Sequence, residues 1–302
     1  MNPGAEGSMD IAAYLRECSQ EVDRYLDRLL PPETQHPATI HRAMRYSVFA
    51  GGKRLRPALV LAAGTSLGGN RDTLMHLGSA IEMIHTYSLI HDDLPALDND
   101  DLRRGVPTSH KVFGEAIAIL AGDSLMTRCY QLLTDLPHLG DSVRLVIIRE
   151  IARATGTIDG MIGGQVVDIE SEGQTIGPDV LDYIHRSKTG ALLTVCARCG
   201  GIAAGAGPAQ LAALTQYGSK VGLAFQIMDD ILDRTGSSQS LGKTAGKDLQ
   251  VKKATYPALH GLEASRRRAR ELVAQAIEDT RSLGEPAEPL RALARLVVDR
   301  SK

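Results

Sequence analysis

The sequence predicts an all-α protein, a single large helical bundle over residues 1–302. Three observations carry that prediction. Ala, Leu, Ile, Met, Arg and Glu dominate, and in "LRECSQEVDRYLDRLL" and "ALTQYGSKVGLAFQIMDDILD" the apolar residues return at helical spacing. No run of alternating β-branched residues is long enough to suggest a sheet. The Gly- and Pro-bearing breaks "GTSLGGN", "TDLPHLGD", "SEGQTIGPD" and "GAGPAQ" are all too short to act as linkers between domains.

Length and charge narrow the functional classes. With 302 residues and 43% apolar content the chain can bury a large core. A formal net charge of −2 and the lack of a long basic run argue against nucleic acid or an anionic membrane as the main partner. The start, "MNPGAEGSMD", has no basic segment followed by an apolar one, and no uncharged apolar run could span a bilayer. A soluble, cytoplasmic protein is therefore expected, with its first ~10 residues disordered.

Along the chain, the first helix is "LRECSQEVDRYLDRLL", followed by a basic turn, "GGKRLRP", that offers Lys53 and Arg56. Next comes an apolar helix, "EMIHTYSLIHDDLPALDNDDLRRG", which ends in Asp92, Asp93, Asp98, Asp100 and Asp101 with Arg103 and Arg104 directly behind. "RLVIIREI" is ambiguous between helix and strand because it is a short apolar run. "GALLTVCARCGG" reads as buried helix. Its Cys196 and Cys199 spell C-x-x-C without a second pair, so they are expected to be packed thiols; with Cys18 and Cys129 they are too scattered for a disulfide framework. "GSSQSLGKT" imitates a nucleotide-binding loop but leaves five residues between its glycines where four are needed, and it follows a helix instead of a strand.

The two acidic clusters echo each other. "GLAFQIMDDILD" sets Asp229, Asp230 and Asp233 at the end of an apolar helix, much as the earlier helix sets Asp92, Asp93 and Asp98. At about 100° per residue, Asp229 and Asp233 share a stripe with Gln226 near it, whereas a regular helix would turn Asp98 about 120° away from Asp92. Pro95 cannot sit in an undisturbed helix, so a local irregularity there can bring Asp98 back. Acids at a helix C-terminus oppose the macrodipole, and both clusters break that preference in the same way. Carboxylates without Cys or His partners select Mg²⁺, which commonly bridges protein oxygens to substrate phosphates. The cations such phosphates need stand in four places: Lys53 with Arg56, Arg103 with Arg104, Lys188 in "RSKTG", and Lys243 with Lys247 in "LGKTAGKD".

In order, "GGKRLRP", "EMIHTYSLIHDDLPALDNDDLRRGVPTSH", "AILAGDSL", "MIGGQVVDIESEG", "HRSKTGALL", "FQIMDDILD" and "LGKTAGKDL" resemble the motif set of the trans-isoprenyl diphosphate synthases, from about Met44 to Thr255. Within that family the bacterial farnesyl diphosphate synthases are the most similar, then the geranylgeranyl synthases. The resemblance implies an all-α bundle around a central cavity, the two aspartate motifs facing each other across its mouth, and a homodimer. It implies Asp92, Asp98, Asp229 and Asp233 as ligands of Mg²⁺, three ions per active site, with Asp93 and Asp230 among the catalytic residues. By the same resemblance Arg103, Lys188, Thr189, Gln226 and Lys243 hold the allylic diphosphate, dimethylallyl or geranyl, and Lys53, Arg56, His85 and Arg104 hold isopentenyl diphosphate. His85 lies seven residues before Asp92, on nearly the same stripe, which agrees with a cavity-facing place.

The implied chemistry suits these residue types. Breaking an allylic C–O bond leaves a carbocation and a diphosphate anion, so cations around the leaving group and a dry apolar cavity do most of the work. Product length would be set one or two turns before Asp92. Periodicity nominates Ser88, about 40° off the stripe, while the resemblance nominates Tyr87 as an aromatic floor and hence a 15-carbon product. The rival readings are a geranylgeranyl (20-carbon) synthase, a class I terpene cyclase, which would leave Lys53, Arg56 and Arg104 without a purpose, and a non-catalytic subunit of a prenyl synthase.

Overall fold

The structure, a computed structural model, describes residues 9–235 and 255–299. Its helices are α1 (Ile11–Leu29), α2 (Ala38–Val48), α3 (Leu55–Thr65), α4 (Arg71–Asp92), α5 (Ser109–Phe113), α6 (Glu115–Thr134), α7 (Asp141–Thr155), α8 (Met161–Glu170), α9 (Pro178–Ile184), α10 (Ala191–Ala203) and α11 (Pro208–Thr235). After the undescribed segment come α12 (Tyr256–His260), α13 (Leu262–Asp279) and α14 (Glu288–Asp299). Asp10 caps α1 by accepting the Ala13 N–H at 2.9 Å; residues 1–8, within the stretch expected to be disordered, lie outside the described residues. The ambiguous "RLVIIREI" is helical, within α7.

Composition decides which helices lie inside. Helix α3, "LRPALVLAAGT", and α10, "ALLTVCARCGGIA", are apolar around most of their circumference, and each buries eight residues. Helices of that kind must be central. They pack on each other and on α4 and α11, while α6 lies against α4 and α13 against α11. Helix α1 carries an apolar stripe through Cys18, Val22 and Leu26 and covers the bundle from outside. Cys196 and Cys199 are buried and free, and burial pushes the Cys196 thiol up to about 12 and that of Cys199 well above its ordinary value, as expected of packed core thiols. Among the described residues no helix is long and apolar enough to cross a membrane.

One element departs from the all-helical expectation. Leu102–Arg103 and Val106–Pro107 form a two-stranded antiparallel hairpin, Arg103 opposite Val106. Its turn residues Arg104 and Gly105 have φ of 54° and 81°, the paired left-handed conformation of a tight hairpin turn. Strands of two residues carry no readable alternation, so the hairpin left no mark in the sequence pattern.

Candidate active site

Helix α4 stops at Asp92, and the chain then folds back on its own end. The N–H of Asp98 donates to the Asp92 carbonyl at 2.8 Å, and that of Asp100 to the Asp93 carbonyl at 3.1 Å. The bend that Pro95 demands thus returns Asp98 to Asp92, as the sequence reading anticipated. Burial holds the Asp92 carboxyl above the usual carboxylate range, Lys188 acting against it and Asp98 with it. Asp93 points elsewhere. It is buried and takes the Arg103 guanidinium, with Nε at 2.6 and 2.9 Å from its two oxygens, and Asp100 stands 3.5 Å from the same group.

The hairpin separates two adjacent arginines. Arg103 turns toward the first aspartate motif, while Arg104, in the turn, donates to the Gly51 carbonyl and lies over Gly52. A Cβ on Gly52 would stand 2.7 Å from the Arg104 guanidinium carbon, and its φ of +136° disfavours any other residue. Arg104 there joins Lys53, Arg56, His85 and Phe225 around a cavity of about 540 Å³. Burial, then the guanidinium groups of Arg56, Arg104, Arg103 and Arg54, hold the His85 imidazole well below its ordinary value, so it is neutral near pH 7. Arg54, the remaining arginine of "GGKRLRP", also borders this cavity but is anchored in the core: it is 2% exposed and bonds Asp23, Glu82 and the Val48 carbonyl.

The third basic station lies on a π-helical turn, His185–Gly190, which joins α9 to α10 in one continuous helical run. Lys188 donates to Asp168 of α8 at 2.7 Å, and Thr189 donates to Gln226 of α11 at 2.8 Å. Gln226 in turn donates to Asp230 at 3.3 Å, so its recorded partner on α11 is Asp230, four residues on. Asp230 is buried, while Asp229 and Asp233 are half-buried in the last turns of α11. Among the described residues no three carboxylate, imidazole or thiol groups already form a ready cage for a metal ion. Lys243 and Lys247 lie outside the described residues, as do Arg300–Lys302. Tyr87 is buried in α4, edge-on to His91 at 5.6 Å, and burial pushes its hydroxyl up to about 12. Ser88 is half-buried and donates to the His85 carbonyl at 2.9 Å.

Sequence reasoning missed Asp168 and His185. Asp168 follows Gly164 by one helical turn inside the quoted "MIGGQVVDIESEG", and the first carboxylate after a double glycine was the available signal. A second groove, of about 580 Å³, is lined by Glu21, Arg24, Tyr25, Arg71 and Asp72 between α1 and the start of α4. Its charges pair with one another, Arg71 with Glu21 and the Tyr25 hydroxyl with Asp72, and it lies about 30 Å of helix from Asp92.

A family model described as polyprenyl synthetase matches residues 37–290. The farnesyl diphosphate synthase of Escherichia coli (strain K12) is 45% identical over 97% of this chain and 100% of its own length. The large subunit 1 of the heterodimeric chloroplastic geranylgeranyl pyrophosphate synthase of Arabidopsis thaliana is 46% identical over 97% of this chain and 80% of its own. Among solved structures, the apo FPP/GFPP synthase from Zymomonas mobilis superposes with a TM-score of 0.87 at 38% identity, covering 95% of this chain and 99% of that one.

Proposed function

The chain belongs to the polyprenyl synthetase family, and from that premise we propose that it is a prenyltransferase condensing isopentenyl diphosphate head-to-tail with dimethylallyl or geranyl diphosphate, to yield farnesyl diphosphate and free diphosphate. One observation carries the reading. The hairpin places two consecutive arginines in two different anion environments, Arg103 at the aspartate motif and Arg104 at the basic cavity, so two phosphorylated substrates can be held side by side. A terpene cyclase would need only the first.

In this reading the cavity lined by Lys53, Arg56, His85 and Arg104 takes the diphosphate of isopentenyl diphosphate. Arg and Lys neutralise it, and the neutral His85 can donate a hydrogen bond without adding charge. Lys188, Thr189, Gln226 and Arg103 take the allylic diphosphate, together with Lys243, which lies outside the described residues. The carboxylate of Asp92, whose charge is disfavoured chiefly by burial, and that of Asp98 fit a hard divalent ion, with Asp229 and Asp233 as the facing donors. Mg²⁺, three ions per site, is the reading we favour, and when bound it would stabilise negative charge developing on the leaving diphosphate.

The chain's own residues do the rest. Lys188 and Arg103 stabilise the departing diphosphate as the allylic C–O bond breaks. The isopentenyl double bond then attacks the cation, a C–C bond forms, and the proton lost from the new adduct passes to the released diphosphate. The apolar wall from α4 keeps water from quenching the cation, and Tyr87 closes the floor at 15 carbons. A homodimer belongs to this reading; Val112, Ile119, Leu120 and Leu145 on the mutually packed α5, α6 and α7 are exposed apolar surface for it. The purified chain supplied with Mg²⁺, geranyl diphosphate and labelled isopentenyl diphosphate is the test: a 15-carbon diphosphate is expected. A mainly 20-carbon product would overturn the length, a cyclic hydrocarbon would favour the cyclase, and no elongation at all would overturn the reading.

A further inference from the structure

Asp230 sits where three elements meet, the π turn, α11 and the start of α12. Its carboxylate accepts from the backbone N–H of Tyr256 at the start of α12 at 2.8 Å and from Gln226 at 3.3 Å, and it lies 3.2 Å from Nε2 of His185. His185 is 4% exposed, packs against the Tyr256 ring at 6.3 Å, and is the first residue of the π turn; among the described residues its Nδ1 is buried with no partner. Its Nε2 contact joins that turn to α11.

A π turn is rare, and the backbone alone does not fix where along a helix the extra residue is accommodated. Here the turn is gripped from both sides. Helix α8 abuts it at Gly164, where a Cβ would stand 2.8 Å from the Lys188 Cα, and α11 abuts it at Gly222, where a Cβ would stand 2.8 Å from the Gly190 Cα. Lys188 bonds across to α8, whereas Thr189 and His185 both face α11. The contact at His185 marks where the wide turn begins. If the wide turn slid along the helix, Lys188 and Thr189 would rotate by up to about 100° and lose their targets.

We infer that His185 and Asp230 are positioning residues, a buried pair that locks the register of the π turn so that Lys188 presents its ammonium group to the allylic diphosphate while Thr189 keeps its bond to Gln226. The inference rests on the proposed reading of Lys188. Asp230 then acts through His185 and through the Gln226–Thr189 bond, not by touching substrate.

The experiment is a comparison of Michaelis constants for the two substrates in the full-length enzyme. His185→Leu should raise KM for the allylic diphosphate on the order of 10–100-fold while leaving KM for isopentenyl diphosphate within about twofold. His185→Gln, which can place an amide N–H near the Nε2 position, should restore the allylic KM to within about threefold. An unaltered allylic KM in His185→Leu, or an equal rise in both constants, overturns the inference. If His185→Leu does not fold, His185→Gln is set against His185→Asn, whose amide reaches only to the Nδ1 position; equal allylic constants in that pair overturn it, and a rise confined to Asn supports it. Lys188→Ala separates the two levels: an unchanged allylic KM there overturns the reading of Lys188, while a change there with none in His185→Leu overturns the positioning role alone.

Discussion

The backbone N–H of Asp98 donates to the carbonyl of Asp92 at 2.8 Å. Six residues that a straight helix would spread over more than a turn are folded so that two acidic residues stand at one helix end, where burial first, and Asp98 with it, disfavours the charge of Asp92. A divalent cation would relieve that charge. Asp92→Ala and Asp98→Ala should each lower turnover by about 10²-fold or more without altering the far-ultraviolet circular dichroism spectrum. Steady-state kinetics with both substrates saturating checks this, and a rate within twofold of the parent in either variant would sink the role.

Gly52 makes room for Arg104. In Gly52→Ala the new methyl group meets the guanidinium and the backbone is strained at φ +136°, so Arg104 is displaced from the cavity. The expected result is a KM for isopentenyl diphosphate raised by about tenfold, a KM for the allylic substrate little changed, and a loss of roughly 1–3 kcal/mol in stability. Substrate titrations together with urea unfolding measure both.

Tyr87 is buried and braced by His91, which itself bonds the Ile119 carbonyl at 3.1 Å. A tail can displace a side chain so held only by repacking, at a cost of about 1–3 kcal/mol. Tyr87→Ala should therefore shift products from 15 toward 20 carbons. Chromatography of the dephosphorylated products reports the distribution, and an unaltered one would show that the floor lies elsewhere.

Arg54 and Glu82 form an ion pair with both side chains almost wholly buried, at 3.1 Å. Replacing Arg54 by Leu strands in the core the Glu82 carboxylate, whose second oxygen already has no hydrogen-bond partner among the described residues. Arg54→Leu should cost about 3–5 kcal/mol, whereas removing an exposed partner, as in Glu278→Ala beside Arg281, should cost less than about 1 kcal/mol. Chemical denaturation of the two variants decides between these magnitudes.

Burial lifts the Cys18 thiol to about 11 and that of Cys196 to about 12 from an ordinary value near 9. In the folded chain these thiols stay protonated while the unfolded chain ionises. Their contribution is thus complete below pH 9 and is lost as pH rises from 9 toward 12. Unfolding free energy should fall between pH 9 and pH 11, and Cys18→Ala with Cys196→Ala should flatten that slope. A slope identical to the parent's would assign the alkaline loss to other groups.

The sequence by itself determined the helical class, the core and the two acid-tipped helices. Each of these is written locally, in a period of three to four residues or in a run such as "HDDLPALDNDD". Even the return of Asp98 was legible, because Pro95 cannot continue a helix. Only the tertiary structure decided what each charged residue does. Arg54 and Arg56 differ by two positions and both border the cavity, yet Arg54 is almost wholly buried and locked by Asp23 and Glu82. Arg103 and Arg104 are neighbours that a hairpin turn sends to different sites, and Asp230 adjoins Asp229 but is held by His185 and Tyr256. These assignments depend on partners tens of residues away, and the π turn that carries Lys188 has no periodic signature of its own. A side chain's role is fixed by what packs opposite it, and that is a property of the folded chain alone.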